Sequence, residues 1–487
     1  MRLAPLLFAA VFAAVSLVVW AGPRPLEAGN VSDAAIRNAV TAALGAENLP
    51  DAFWGVYVQN LQTGEVVVSR NADKNLMPAS NMKLVTVATA LDALGPDFRY
   101  VTRLYFDGTA GGEAGDSTLR GDLVLRGSGD PTFGSVLAGP DPLRAWAEQL
   151  RAMGVRRIEG RLIGDDDVMD ERPYANGWDI SYIATEDWAA PAGGLTFRDN
   201  LVTLSMAGTR PGEPAEVTTD PAGYVEVTGD LATRGRRGYN PLRIRRTVGT
   251  NQIQVEGSVS SRYEGAARIP IQDPTAFTLH AFAERLRDAG ITVAAEVVDA
   301  DNLEEPPSYA ADPVLVHLSP PLLDILTTVN HRSNNLYAEQ VFRTFSGNGG
   351  ATGGERRVLA FLERAGIRTD GIAVRDGSGL SRKNLLTPET LGQLLAYVYR
   401  SPMRGAFVAT LPQGGEEQTT LRYRLPGLPV RAKTGALEHV RALSGYAAGA
   451  DGTPYVFVAI ANNFTSRSSL ISVAQNEIAT AIAEGGR

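Results

Sequence analysis

Met77-Pro78-Ala79-Ser80-Asn81-Met82-Lys83-Leu84-Val85 leads into a run, 80–94, that is helix-periodic and stops at Gly95-Pro96. Ser80 and Lys83 stand three residues apart at the start of that helix. A hydroxyl and an amine therefore share one face, one turn from each other. A serine hydroxyl attacks only when a base takes its proton. A lysine can be that base when neutral, and burial or neighbouring positive charge drives it toward that form. The helix N-terminus adds N–H groups and a positive dipole end beside the hydroxyl. Alone, Ser-x-x-Lys reads more readily as an N-cap serine with a surface lysine.

Upstream, residues 53–70 (FWGVYVQNLQTGEVVVSR) alternate like two strands around a turn. Downstream, from about 101 to 310, short strand-like runs and glycines dominate. Two segments of this region look alike: AEQLRAMG, 147–154, and AERLRDAG, 283–290, each followed by an apolar strand-like run. They read either as chance recurrence of a helix–Gly–strand unit or as matched halves of one inserted domain. Between them, 197–272 is rich in strands and turns. Glu304-Glu305-Pro306-Pro307 marks a boundary. Helical patterns return at 321–345, 354–366 and 388–400. Strand-like runs follow at 441–449 and 454–461, with a closing helix at 470–484.

The expected architecture is an α/β (α+β) body built from both ends of the chain and split by a strand-rich insertion. The expected boundaries are a leader over 1–28, a catalytic body of 29–100 with 311–487, an inserted domain of 101–196 with 273–310, and a small β domain over 197–272.

Composition narrows the function. The 487 residues carry 46 basic and 54 acidic side chains, a net charge of −8, which disfavours a nucleic-acid binder. There is no cysteine, so disulfides, thiolate catalysis and Cys-ligated zinc are excluded. Four histidines, at 280, 317, 331 and 439, leave little for a His-rich metal site. Arg2 precedes an uncharged apolar stretch, Leu3 to Pro23, with small residues near Ala21. This reads as a secretory signal cleaved after Ala21. The alternative is an uncleaved anchor with peripheral membrane association. P-loop, H-E-x-x-H and G-x-S-x-G motifs are absent.

Two further motifs accompany Ser80-x-x-Lys83. Ser333-Asn334-Asn335, within VNHRSNNLYAEQ, offers a proton relay and an amide on one side of a turn. Lys433-Thr434-Gly435, within VRAKTGALEHVRALSGY, puts a charge and a hydroxyl on a strand, with a glycine that admits a substrate backbone. The ordered set Ser-x-x-Lys, Ser-x-Asn, Lys-Thr-Gly is that of penicillin-binding proteins and serine β-lactamases. Ser80 and Ser333 are 253 residues apart, far more than a compact β-lactamase needs. That long insertion resembles the class C low-molecular-mass penicillin-binding proteins, the D-Ala-D-Ala carboxypeptidase/endopeptidase family. Gly127-Ser128-Gly129-Asp130-Pro131, Asp376-Gly377-Ser378-Gly379-Leu380-Ser381-Arg382 and Leu411-Pro412-Gln413-Gly414-Gly415 are similar to further segments of that family.

The resemblance implies a penicillin-binding-protein/β-lactamase-like transpeptidase body, an antiparallel sheet flanked by helices, split by a two-domain insertion. It implies peptidoglycan stem peptides as substrates, β-lactam antibiotics as acylating inhibitors, a periplasmic or cell-envelope location, and no metal or cofactor. By resemblance, Ser80 is the nucleophile and Lys83 its base. Ser333 with Lys433 relays the proton to the leaving amine, and Asn335 holds the substrate amide. Thr434 and Lys433 face the substrate carboxylate beside Gly435. Backbone N–H groups of Ser80 and Ala436 form the oxyanion hole, Ala436 standing where the family carries Thr or Ser. Arg382, Glu438 and Asp179 are the candidates for contacting the stem side chain. The other readings of the motif set are a serine β-lactamase and a catalytically inactive cell-wall-binding protein. The first needs a water-activating Glu in an E-x-x-L-N loop, and no Leu-Asn pair occurs.

Overall fold

Alternate residues of strand Phe53–Asn60 face opposite sides of a sheet, as the period of two requires. Trp54, Val56 and Val58 enter one apolar cluster and Tyr57 the other. The same division runs along strand Pro454–Asn462, where Val456, Val458 and Ile460 oppose Phe457, Ala459 and Ala461. A computed structural model describes residues 33–45, 52–111, 117–135, 139–235, 240–294 and 296–485 of the chain. The expected leader, 1–28, lies outside the described residues.

These two strands pair antiparallel at the centre of a five-stranded sheet. Its order is Val430–Leu437, Val440–Ala448, Pro454–Asn462, Phe53–Asn60, Val66–Arg70. Both ends of the chain thus build one sheet. Helices Asp33–Leu44 and Ser468–Glu484 cover one face. Helices Met82–Leu94, Leu322–His331, Asn335–Thr344 and Pro388–Arg400 cover the other. The run 321–345, read in sequence as one helical pattern, is two helices: the chain breaks at Ser333, which has a φ of 55°.

Strand Val430–Leu437 is the edge of this sheet. Its first half is covered: Gly414 N donates to Val430 O at 3.0 Å and Ala432 N to Pro412 O at 3.1 Å. The Leu411–Gly415 segment therefore closes half of the edge, and the half from Lys433 to Leu437 faces the cleft. An uncovered edge is a template for an added extended chain.

The inserted region forms a seven-stranded mixed sheet, with helices Pro142–Ala152 and Pro274–Asp288 packed on each other. Both helices begin with Asp-Pro. Asp141 caps Leu143 N and Arg144 N, and Asp273 caps Ala276 N, each with proline in the first turn. Strands Val155–Ile158 and Thr292–Val293, which follow the two helices, lie side by side in parallel. The two look-alike segments are thus matched units of one sheet. Two features differ from the expected boundaries. Strand Leu315–Leu318, placed by sequence in the body, pairs antiparallel with Val101–Gly111 in the inserted sheet. The β-rich 197–272 shares one apolar cluster with the inserted helices, through Phe197, Val202, Leu204, Ile253 and Phe277. No helix among the described residues is long and apolar enough to cross a membrane.

Candidate active site

Three elements converge on Ser80. The residue lies half-buried in a single 3-10 turn, Ala79–Asn81, leading into helix Met82–Leu94. Ala79 holds a φ of 47°, which turns the chain sharply just before the hydroxyl. Asn81 ties this turn to the sheet. Its Nδ2 donates to Lys433 O at 2.8 Å, and its Oδ1 accepts from Ser444 Oγ at 2.6 Å.

Lys83 is fully buried, with Nζ 3.1 Å from Ser80 Oγ, 2.5 Å from Asn335 Oδ1 and 2.6 Å from Ser378 O. Burial pushes its ammonium down to about 7, against an upward pull from Asp376 and Glu339. Lys433 is buried too, with Nζ 3.0 Å from Ser333 Oγ and 2.7 Å from Thr434 O. Burial, and then the nearby Lys83, hold it well below the ordinary lysine value.

The positive φ of Ser333 aims that side chain at Lys433. Asn334 then caps helix Asn335–Thr344 by accepting from Tyr337 N at 3.0 Å. Asn335 is thereby fixed at the first helical position. Its Nδ2 donates to Trp188 O at 2.8 Å. Gly435 fits a tight space: a Cβ there would lie 3.0 Å from Pro78 O and 3.1 Å from Ser80 N, so the backbone beside the nucleophile would have to give by a few tenths of an ångström. The strand consequently approaches the nucleophile's own amide closely, with Ala436 exposed just beyond.

Ser80, Lys83, Ser333, Asn335, Lys433 and Gly435 therefore meet in one cleft, with Thr434 half-buried on the strand beside them. Arg382, Glu438 and Asp179 lie on its rim. Arg382 Nη1 donates to Glu438 O at 3.3 Å, while the Glu438 carboxylate is exposed beside His439. Asp179 caps helix Ile180–Thr185, its Oδ1 accepting from Ser181 N and Ser181 Oγ. Those hydrogen bonds, and Arg382 further off, hold its carboxyl below the usual range. Asp179 is thus already engaged as a helix cap. Among the described residues, no three His, Asp or Glu side chains could hold a metal ion together.

Two buried carboxylates were not singled out by sequence. Asp376 accepts from five donors: Gly379 N, Asn384 Nδ2, Ser381 N, Ser378 Oγ and Trp178 Nε1. Glu339 accepts from Arg343 Nε at 3.0 Å and Gly377 N at 2.9 Å, and burial pushes its carboxyl up. The signal lay in the segments already quoted, since Asp376 heads DGSGLSR and Glu339 follows the Ser-x-Asn motif.

Against known families, residues 36–483 match the D-Ala-D-Ala carboxypeptidase 3 (S13) family. The chain belongs to that family of serine peptidases. It is 33% identical to the D-alanyl-D-alanine carboxypeptidase of Actinomadura sp. (strain R39), over 95% of this chain and 87% of that protein. It is 26% identical to the D-alanyl-D-alanine carboxypeptidase DacB of Haemophilus influenzae, over 85% of this chain and 86% of the relative. The S13 fold extends across the inserted region as well as the body. The crystal structure of penicillin binding protein 4 from H. influenzae superposes with a TM-score of 0.75 at 24% identity, covering 90% of this chain and 97% of that one. The same protein has been crystallised in complex with a β-lactam.

Proposed function

We infer that this S13 protein is a serine D-alanyl-D-alanine carboxypeptidase and endopeptidase that cuts peptidoglycan stem peptides through an acyl-Ser80 intermediate. One observation carries the reading: a buried lysine with a proton affinity near neutrality lies 3.1 Å from Ser80 Oγ. Ser80 Oγ attacks the carbonyl of the penultimate D-alanine while its proton passes to Lys83 Nζ. The oxyanion is held by the N–H groups of Ser80 and Ala436. As the C–N bond breaks, the leaving amine takes a proton from Ser333, resupplied through the adjacent Lys433. Water then attacks the ester and gives its proton to the Ser333–Lys433 pair, while Lys83 returns its proton to the departing Ser80 Oγ, which restores both lysines. The substrate chain lies along the open half of the edge strand, with Asn335 on its amide and Thr434 and Lys433 at its carboxylate. A terminal D-alanine and a cross-link present the same acyl group, so both reactions use one intermediate. A β-lactam enters by the same attack and stalls at the ester.

Residues 1–28 direct export to the cell envelope, with cleavage after Ala21 in this reading. An uncleaved segment would instead tether the enzyme to the membrane surface. N-terminal sequencing of the protein from envelope fractions separates the two.

The activity is tested by D-alanine release from a pentapeptide muropeptide together with fluorescent penicillin. The expected result is D-alanine release with long-lived labelling, both lost in Ser80→Ala. Rapid penicillin turnover without peptide cleavage would identify a β-lactamase. Neither labelling nor cleavage would leave a wall-binding protein.

A further inference from the structure

The inserted region sends residues 173–192 across the rim of the cleft, and this arm grips the catalytic body at several points. Ser381 Oγ donates to Asn176 O at 2.7 Å, Lys383 Nζ to Asn176 Oδ1 at 2.8 Å, and Arg382 N to Gly177 O at 3.4 Å. Two contacts reach the machinery itself. Trp188 O receives Asn335 Nδ2, and Trp178 Nε1 donates to Asp376 Oδ2 at 2.7 Å. The arm is held from behind by Arg246, a buried side chain of the β-rich region whose Nη2 donates to Ile183 O at 2.5 Å.

Asp376 lies at the turn that presents Ser378 O to Lys83 Nζ. Its two oxygens hold that turn together. Oδ1 takes Gly379 N and Asn384 Nδ2; Oδ2 takes Ser378 Oγ, Ser381 N and the Trp178 indole. Gly379 has a φ of 86°, and a Cβ there would collide with Ala79 O, so the turn is fitted directly against the nucleophile.

We propose that Trp178 is a positioning residue for the general base, acting from the inserted arm through the Asp376 carboxylate. The inference rests on Lys83 being the base. Each donor on Asp376 offsets part of the negative charge that this carboxylate projects onto Lys83. Losing the indole N–H leaves that charge less compensated, so the ammonium holds its proton to higher pH. Losing the carboxylate does the opposite. The other charged groups facing Lys83 are Glu339, paired with Arg343 on helix Asn335–Thr344, and Lys433 on the edge strand. All three remain in place in the variants below. The insertion thereby takes part in acylation by any substrate, β-lactams included.

The experiment is the pH profile of penicillin acylation, followed by stopped-flow, for wild type, Trp178→Phe, Ser378→Ala and Asp376→Asn, with thermal unfolding as the check on fold. Ser378→Ala removes a second donor from the same oxygen and serves if Trp178→Phe does not fold. The expected result for either is an acid limb moved up by about half a pH unit or more. The rate at neutral pH falls about twofold for a half-unit shift, more for a larger one, and recovers in alkali. Asp376→Asn moves the limb down. A folded Trp178→Phe or Ser378→Ala whose limb coincides with wild type overturns the proposal, whatever its rate. Lys83→Ala is run alongside. If it acylates at the wild-type rate, the base assignment and this proposal both fall. If it is inactive while the Trp178→Phe limb stays put, only the role of Trp178 falls.

Discussion

The two walls of the cleft each bury one lysine, and they treat it differently. On the helix wall, Lys83 has the buried carboxylates of Asp376 and Glu339 close by. On the strand wall, Lys433 has a hydroxyl and a carbonyl as partners and feels Lys83 as a like charge. Burial drives both amines down; the carboxylates pull Lys83 back up, to about 7, while Lys83 adds a second downward push on Lys433. Lys83 can therefore exchange a proton with serine near neutrality. A substrate carboxylate arriving beside Lys433 would favour its cationic form. The same residue type serves two roles because one wall carries acids and the other does not.

The largest effect should come from the helix wall. Lys83→Ala should slow acylation by roughly a hundredfold to ten-thousandfold at every substrate concentration, the range of a lost general base. In wild type the rate should fall as pH drops through about 7, because the amine is then an ammonium and cannot accept a proton. Stopped-flow labelling across pH measures both; an unchanged rate in the variant, or a wild-type rate flat from pH 5 to 9, would break the contrast.

Next comes the strand wall. Lys433→Ala should lower kcat/KM about ten- to a hundredfold, with KM also raised, since charge near the carboxylate and the relay are lost together. Wild type should prefer a peptide with a C-terminal carboxylate over its amide, and the variant should lose that preference. If both proteins discriminate equally, Lys433 does not meet the carboxylate.

On the rim, Arg382→Gln and Glu438→Gln should reduce hydrolysis of a stem peptide bearing a free side-chain amine about tenfold and penicillin acylation much less. Asp179→Asn should do less than either, because Ser181 already occupies that carboxylate. The comparison is kcat/KM on that peptide against its acetylated form; a constant ratio across all variants removes the rim from specificity.

The smallest effect is on stability. The folded Lys83 releases its proton near 7 and an unfolded lysine near 10.5. Between those values the unfolded chain binds more protons, so the folded state gains stability as pH rises and loses it as pH falls. Lys83→Met should shrink that rise, by chemical denaturation at pH 7 and pH 10. An equal rise in both proteins would mean that Lys83 is not held near 7.

The chemistry was legible in sequence because it sits in short motifs on regular elements. Ser80 and Lys83 share a helix turn, and Lys433-Thr434-Gly435 lies on a strand. The strands within 53–70 show alternation, and 441–449 and 454–461 read as strand-like runs because they are nearly continuously apolar. What could not be read was contact across the chain. Trp178 reaches Asp376 over 198 positions and Asn335 reaches Trp188 over 147, with no local signature at either end. The same limit hid strand Leu315–Leu318, whose partner lies some two hundred residues upstream. The break at Ser333 was missed because its positive φ falls on a serine, where helix periodicity continues on both sides. The three motifs do not stand alone in the fold, since Asn335 and the turn beside Lys83 are held by the inserted arm.

The covalent step itself is the most direct test. The protein is treated with penicillin, proteolysed and sequenced by mass spectrometry. A penicilloyl adduct on Ser80, absent from a Ser80→Ala protein with unchanged unfolding temperature, is the expected result. An adduct on any other residue, or labelling that survives in Ser80→Ala, would contradict the site.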